Sequence, residues 1–203
     1  MKFVIKWRWR KLNKFFTVDD EKLNNLDDFK IPSEWWSRPS EYAFADKFLK
    51  ENETIIDAGC GIEHPFKFYA AKRCKKVYAI DRDKRLETLE KKENIEYICS
   101  NLESFKLKEQ VDKIFCISCL ERINNFTPVF SNLAKYIKND GQIIITIAYP
   151  LLKPDIVIQA LKDKFIVEKN INYKESKNDI YSALYKLKCC SIIAKRRKKN
   201  VSK

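Results

Sequence analysis

The sequence predicts a single-domain α/β fold of the doubly wound kind, and three observations carry that expectation. A short β-branched run, Thr54-Ile55-Ile56, enters a turn holding two of the chain's three glycines, Gly59 and Gly61, and a helix follows at His64–Ala71. Such a run suits a strand buried on both faces of a parallel sheet. A second run, Lys76–Ile80, ends on Asp81, twenty residues past Gly61. Beyond it, apolar strand-like runs keep alternating with helical patterns, the order that gives a parallel sheet with helices on its faces. At 203 residues the chain suits one such unit.

The elements follow in order. In the first residues Phe3, Ile5, Trp7 and Trp9 alternate with Val4, Lys6, Arg8 and Arg10, a period of two. Such an arm stacks bases, lies on lipid headgroups, or docks its aromatic face on the core. Docking is favoured, because four large apolar groups in water are a liability. All four tryptophans (7, 9, 35 and 36) precede the glycine turn, which marks residues 1–33 and the Trp35-Trp36 pair as an arm and lid. Ser40 can cap a helix whose buried stripe includes Phe44, Phe48 and Leu49.

At the turn, glycine permits a tight bend and a close approach to the main chain. Pro65 suits a first helical position. Residues 84–92 then read as helical, and strands follow at Ile95–Ser100 and Val111–Ser118. Thr127-Pro128 opens a helix with Phe130, Leu133, Ala134 and Ile137 on one face. Asn139-Asp140-Gly141 turns the chain into a strand over Gln142–Ala148. Pro154–Lys164 reads as a helix, Phe165–Tyr173 as a strand, Lys177-Asn178-Asp179 as a turn and Tyr181–Ala194 as a final strand.

Charge is unevenly placed. The formal net charge is +13, with +6 from residues 1–14 and another +6 from residues 195–203. The middle is nearly neutral, and the basic ends favour polyanions such as RNA or an acidic membrane surface, or simply keep the chain in solution. No apolar run approaches the roughly 20 residues that cross a bilayer. Seven cysteines lack a disulfide-framework spacing, which predicts small buried hydrophobes in a reducing, cytoplasmic setting. Cys116 and Cys119 form a CxxC, but residues three apart on a strand point to opposite faces. His64 is the only histidine, so no metal site is expected.

A strand, a glycine turn, a helix and a ribose-spaced carboxylate form a nucleotide-binding corner. A dinucleotide site needs a third glycine where this chain has His64. Asp57-Ala58-Gly59-Cys60-Gly61 with Asp81 instead resembles the class I S-adenosylmethionine-dependent methyltransferases, over roughly residues 34–194. Cys119-Leu120-Glu121-Arg122-Ile123 resembles that family's fourth-strand motif, with Arg122 where a histidine is common. The resemblance implies a Rossmann-like seven-stranded sheet, mostly parallel with an antiparallel last strand, and S-adenosyl-L-methionine as cofactor. It implies cofactor contacts at Asp57, Ala58, Gly59, Cys60, Gly61, Asp81, Asn101, Leu102 and Ser118. Asn101 stands where an acid often contacts the adenine amino group, and its amide oxygen keeps an acceptor there. Arg38 is placed to hold the cofactor's carboxylate, or else pairs at the surface with Glu34 or Glu41. No general base is assigned; His64, Glu121 and Tyr42 are available in kind. The expected acceptor is an O, N or S atom of a small molecule. RNA methylation through the basic ends and a non-catalytic nucleoside-binding module are the alternatives.

Overall fold

The computed structural model describes residues 12–167 and 171–197. The basic, aromatic arm through Lys11 and the tail from Lys198 onward lie outside the described residues. The central sheet has strands β1 (Thr54–Ala58), β2 (Lys76–Asp81), β3 (Ile95–Cys99), β4 (Val111–Ile117), β5 (Ile137–Tyr149), β6 (Phe165–Val167), β7 (Tyr181–Ser182) and β8 (Leu187–Arg196). Their spatial order is β7-β8-β5-β4-β1-β2-β3, with β6 paired to β8. The run from β5 to β3 is parallel, and β8 is antiparallel to β5. The chain winds one way through β1, β2 and β3 and the other way through β4 and β5. A crevice therefore opens where β1 and β4 end side by side.

Both faces of this sheet are covered, which explains the unbroken apolar strands. Ile56, Ile114, Ile143 and Ile145 pack under helices α3 (Phe126–Tyr136) and α4 (Pro154–Leu161), against Phe130, Leu133, Val157 and Leu161. Ile55, Val77, Phe115 and Ile144 face the other way, onto α1 (Arg38–Asp46) and α2 (Phe66–Ala71), against Tyr42, Phe44 and Phe66. Successive residues of one strand thus feed opposite layers, as strand geometry requires. Residues 12–33 pack onto the unit. Phe16, Leu26 and Ile31 are buried, and the Asn13 side chain accepts a hydrogen bond from the Ile193 N–H at 2.6 Å.

Several boundaries depart from the sequence expectation. The expected final strand over 181–194 is a hairpin, β7 and β8, turning through Lys186 at φ +55°, and β8 runs on to Arg196. The hairpin gives the sheet eight strands instead of seven. In the expected strand over 165–173, the described residues give β6 and a two-residue strand, Ile171–Asn172, which pairs with Asn13–Lys14. The stretch 84–92 holds only a 3₁₀ helix, Lys84–Thr88. Helix α1 starts at Arg38, so Ser40 is buried inside it rather than capping it, and Phe48 and Leu49 lie past its end. Asn139-Asp140-Gly141 is a bulge inside β5, because Ile137 pairs with Val111 while Gln142 pairs with Lys113. Ile137 accordingly begins β5 and does not extend the face of α3.

Candidate active site

The crevice is a cleft of about 380 Å³, within the size range of small-molecule sites. Arg38, Gly59, Gly61, Asp81, Asn101, Leu102 and Ser118 line it, together with His64, Glu103, Cys119 and Arg122. Asp57, Ala58 and Cys60 do not reach it. Asp57 and Ala58 are buried at the end of β1, and the Cys60 side chain lies in the α1/α2 layer.

The turn is tied to β2 by its own backbone. The Gly59 and Cys60 N–H groups donate to the Ile80 carbonyl at 2.8 and 3.1 Å. The Gly61 N–H donates to Asp81 Oδ2 at 2.9 Å, and the Asp83 N–H donates to Oδ1 at 3.0 Å. Asp81 is therefore aimed by two amides and keeps further lone pairs for donors in the cleft. Both glycines have positive φ, +70° at Gly59 and +57° at Gly61. The close approach they permit is taken up by the protein itself. A Cβ on Gly59 would lie 2.5 Å from Cys119 Cβ, and one on Gly61 would lie 2.7 Å from His64 Cδ2.

Beneath the turn, Lys67 is buried and its ammonium donates to the carbonyls of Gly61, Ile62 and His64 at 2.8, 3.0 and 2.6 Å. Sequence reading missed this residue, because a lysine on a helix is ordinarily solvated. Burial lowers its pKa, against the pull of Asp57. Burial pushes Asp57 up to about 7 despite Lys67 and Arg38, and its Oδ2 has no hydrogen-bond partner.

A second buried centre joins α1 to the cleft. Glu41 Oε2 accepts from Arg38 Nη1 at 2.7 Å, from Ser118 Oγ at 2.8 Å and from Thr146 Oγ1 at 2.6 Å. Burial opposes the Glu41 charge, but Arg38 and the hydroxyl donors outweigh it and hold the pKa below the ordinary carboxylate value. Burial likewise opposes the Arg38 charge, and Glu41 raises its pKa over that penalty. The Arg38 side chain is only 14% exposed, so its pairing with Glu41 is an internal ion pair and not a surface one.

Ser118, the residue just after β4, has φ +42°, an uncommon conformation for a non-glycine residue, and this bend corrects the cysteine expectation. The chain leaves strand geometry there, and the Cys119 thiol meets the Cys116 side chain instead of pointing away from it. The Cys116 contact and burial together hold the Cys119 thiol well above its ordinary pKa, so it is no activated nucleophile. No three potential metal-binding side chains cluster among the described residues. His64 packs 4.7 Å from the Trp35 ring. Burial, then the charges of Arg38 and Lys67, push it down to about 4. It is neutral near pH 7 and a weak base. Burial raises the Glu121 carboxyl, whose Oε1 accepts from the Ala148 N–H while Oε2 has no partner.

Residues 56–145 match the methyltransferase domain family. Over this stretch, somewhat under half of the chain, the sequence is similar to methyltransferase domains. The chain is 27% identical over 157 residues to a ubiquinone biosynthesis O-methyltransferase of Rickettsia akari, over 64% of this chain. It spans about three fifths of that relative's length, 60%. Among solved structures, a TehB-like S-adenosylmethionine-dependent methyltransferase of Corynebacterium glutamicum superposes with a TM-score of 0.58 and 15% identity, over 78% of this chain and 87% of the other. The N-methyltransferase NodS of Bradyrhizobium japonicum, solved with S-adenosyl-L-homocysteine, superposes with a TM-score of 0.55 and 14% identity, over 73% and 80%. At those identities the likeness is one of fold. The fold places the glycine turn, Asp81 and Ser118 around one crevice, where the doubly wound topology puts a ligand site.

Proposed function

We propose that the chain is an S-adenosyl-L-methionine-dependent methyltransferase acting on an O, N or S atom of a small molecule. The observation that carries this reading is the Asp81 carboxylate, fixed by the Gly61 and Asp83 amides at the edge of a cleft floored by the glycine turn. Its remaining lone pairs suit two ribose hydroxyls. Leu102 offers an apolar surface beside the exposed amide of Asn101, which suits an adenine ring and its amino group. Arg38 is the group for the methionine carboxylate, because its other guanidinium donors stay available after Nη1 is engaged. Bound there, S-adenosyl-L-methionine supplies a methyl carbon activated by a sulfonium whose departure leaves a neutral thioether. The chain's own task is then alignment and exclusion of water. His64, packed on Trp35, lines one side of the cleft, and the Glu41 centre fixes Arg38 and Ser118.

Residues 34–194 form the proposed cofactor-binding unit, with residues 1–33 as arm and lid and 195–203 as a basic tail. Among the described residues no helix is long and apolar enough to cross a membrane, and we place the protein in the cytoplasm on its cysteine usage. A small molecule is preferred to RNA because the relatives matched in sequence are named for ubiquinone biosynthesis and for coclaurine, and the basic ends are remote in sequence from the cleft; an rRNA methylase of Streptococcus thermophilus is similar in fold alone, at 15% identity. Binding of the acceptor should then depend little on salt, whereas a phosphate-tracking enzyme would lose affinity steeply. Calorimetry with S-adenosyl-L-homocysteine and with NAD, side by side, tests the cofactor. Binding of the first alone is expected, and binding of NAD alone would overturn the reading.

A further inference from the structure

The cleft is electrically divided. The two carboxylates that line it are Asp81, at the end of β2, and Glu103, in the turn after β3. The opposite half, built by α1, the glycine turn and the segment after β4, is lined by Arg38, His64, Arg122 and neutral residues, with no carboxylate on its surface. Glu41 and Glu121 lie behind that wall and are not part of its lining. One half therefore suits hydroxyl and amino donors, and the other suits an anion.

Arginine pairing sharpens the division. Of the seven described arginines, five are held by a carboxylate or a carbonyl oxygen: Arg38 by Glu41, Arg73 by Asp27, Arg85 by Asp83, Arg196 by Lys164 and Arg197 by Lys162. The other two, Arg82 and Arg122, have no such partner, and both line the cleft. Arg82 shares its half with Asp81 and Glu103. Arg122 shares its half with no carboxylate. Arg122 and His64 share this half, and the charge of Arg122 adds a little to the lowering of the imidazole pKa. Arg38, already neutralised on one side by Glu41, serves the cofactor's carboxylate, which leaves Arg122 for a second anion.

We propose that the methyl acceptor is a small molecule bearing a carboxylate or phosphate group, and that Arg122 binds that group. This rests on the methyltransferase reading of the same cleft. A guanidinium presents donors in a planar fork matched to either anion, which the histidine common at this position does not. Arg122 takes no part in making or breaking bonds; it sets which acceptors enter and how they lie.

The test uses the full chain saturated with S-adenosyl-L-homocysteine and titrated by ligand-observed NMR. The probes are paired anions and neutral counterparts: benzoate with benzamide, hexanoate with hexanamide, and phenyl phosphate with phenol. At least one anion should bind about tenfold tighter than its counterpart, the scale of a charged hydrogen bond. Arg122→Gln should abolish that preference, Arg122→Lys should restore part of it, and neither should move the affinity for S-adenosyl-L-homocysteine by more than about twofold. Equal binding of every pair, a preference that survives Arg122→Gln, or a preference only for a single-stranded oligonucleotide overturns the inference while leaving the cofactor reading intact. Weakened S-adenosyl-L-homocysteine binding in Arg122→Gln overturns it by assigning Arg122 to the cofactor. A wild-type chain that does not bind S-adenosyl-L-homocysteine refutes the methyltransferase reading itself, and the inference with it.

Discussion

Replacing Glu41 by glutamine removes one charge and little volume from the centre that ties α1 to the cleft. The carboxylate is fully buried and accepts from Arg38, Ser118 and Thr146 at 2.6–2.8 Å. Removing one partner of a buried ion pair costs about 3–5 kcal/mol, because the other charge stays buried alone. Arg38 keeps 14% of its side-chain exposure and the amide still accepts one hydroxyl, so roughly 2–4 kcal/mol is expected. Urea denaturation measures it, as a lower midpoint at unchanged slope. Combining Glu41→Gln with Arg38→Met removes the stranded charge, so the double variant should recover roughly 2 kcal/mol relative to additivity. Loss below about 1 kcal/mol, or additive effects of the two changes, would refute the ion pair as the organiser of this wall. Cofactor affinity should fall in Glu41→Gln as well, since Arg38 loses its anchor.

Three further outcomes follow from the site. Gly59→Ala should cost roughly 2 kcal/mol or more, about 1 kcal/mol of it backbone strain at φ +70° and the rest the clash with Cys119. Adding Cys119→Gly should restore the second part only, as read by thermal unfolding. Asp57→Asn should stabilise the protein more at pH 8 than at pH 5. The folded carboxyl, pushed up to about 7, holds a proton that the unfolded chain has released above about pH 4, so wild-type stability contributed by this group falls as pH rises through that window. The difference between the two pH values should approach roughly 2–3 kcal/mol, and a pH-independent effect would contradict an uncompensated Asp57. Lys67→Met should release the carbonyls of Gly61, Ile62 and His64, and hydrogen exchange of the Gly61 amide should rise. Unchanged exchange would mean that the lysine does not hold the turn.

What the sequence disclosed was local. The strand into Asp57, the glycine turn and the spacing to Asp81 all lie within about thirty residues, and each rests on backbone rules that neighbouring residues obey. The mostly parallel sheet with helices on its faces followed from the alternation of elements. The departures came where a run of similar propensity hides a break. The β-rich stretch from Tyr181 looks continuous, yet Lys186 turns it, and Asn139-Asp140-Gly141 carries turn residues that serve a bulge within β5. The polar centre was illegible for a different reason. Glu41 meets Ser118 and Thr146, 77 and 105 residues away, and nothing near Glu41 in sequence marks it as buried. Lys67 was hidden likewise, since its three acceptors are backbone carbonyls that no side-chain pattern encodes. The Cys116–Cys119 contact needed the Ser118 bend, which strand periodicity alone argues against.

Titration of S-adenosyl-L-homocysteine into the wild-type chain and into Asp81→Asn bears most directly on the cleft as an adenosyl site. Loss of a carboxylate that accepts two ribose hydroxyls should weaken binding by about 1.5–3 kcal/mol, roughly ten- to a hundredfold, with the fold intact by circular dichroism. Equal affinities in the two proteins would show that Asp81 does not grip the nucleoside, and the cofactor would have to be sought elsewhere on the sheet.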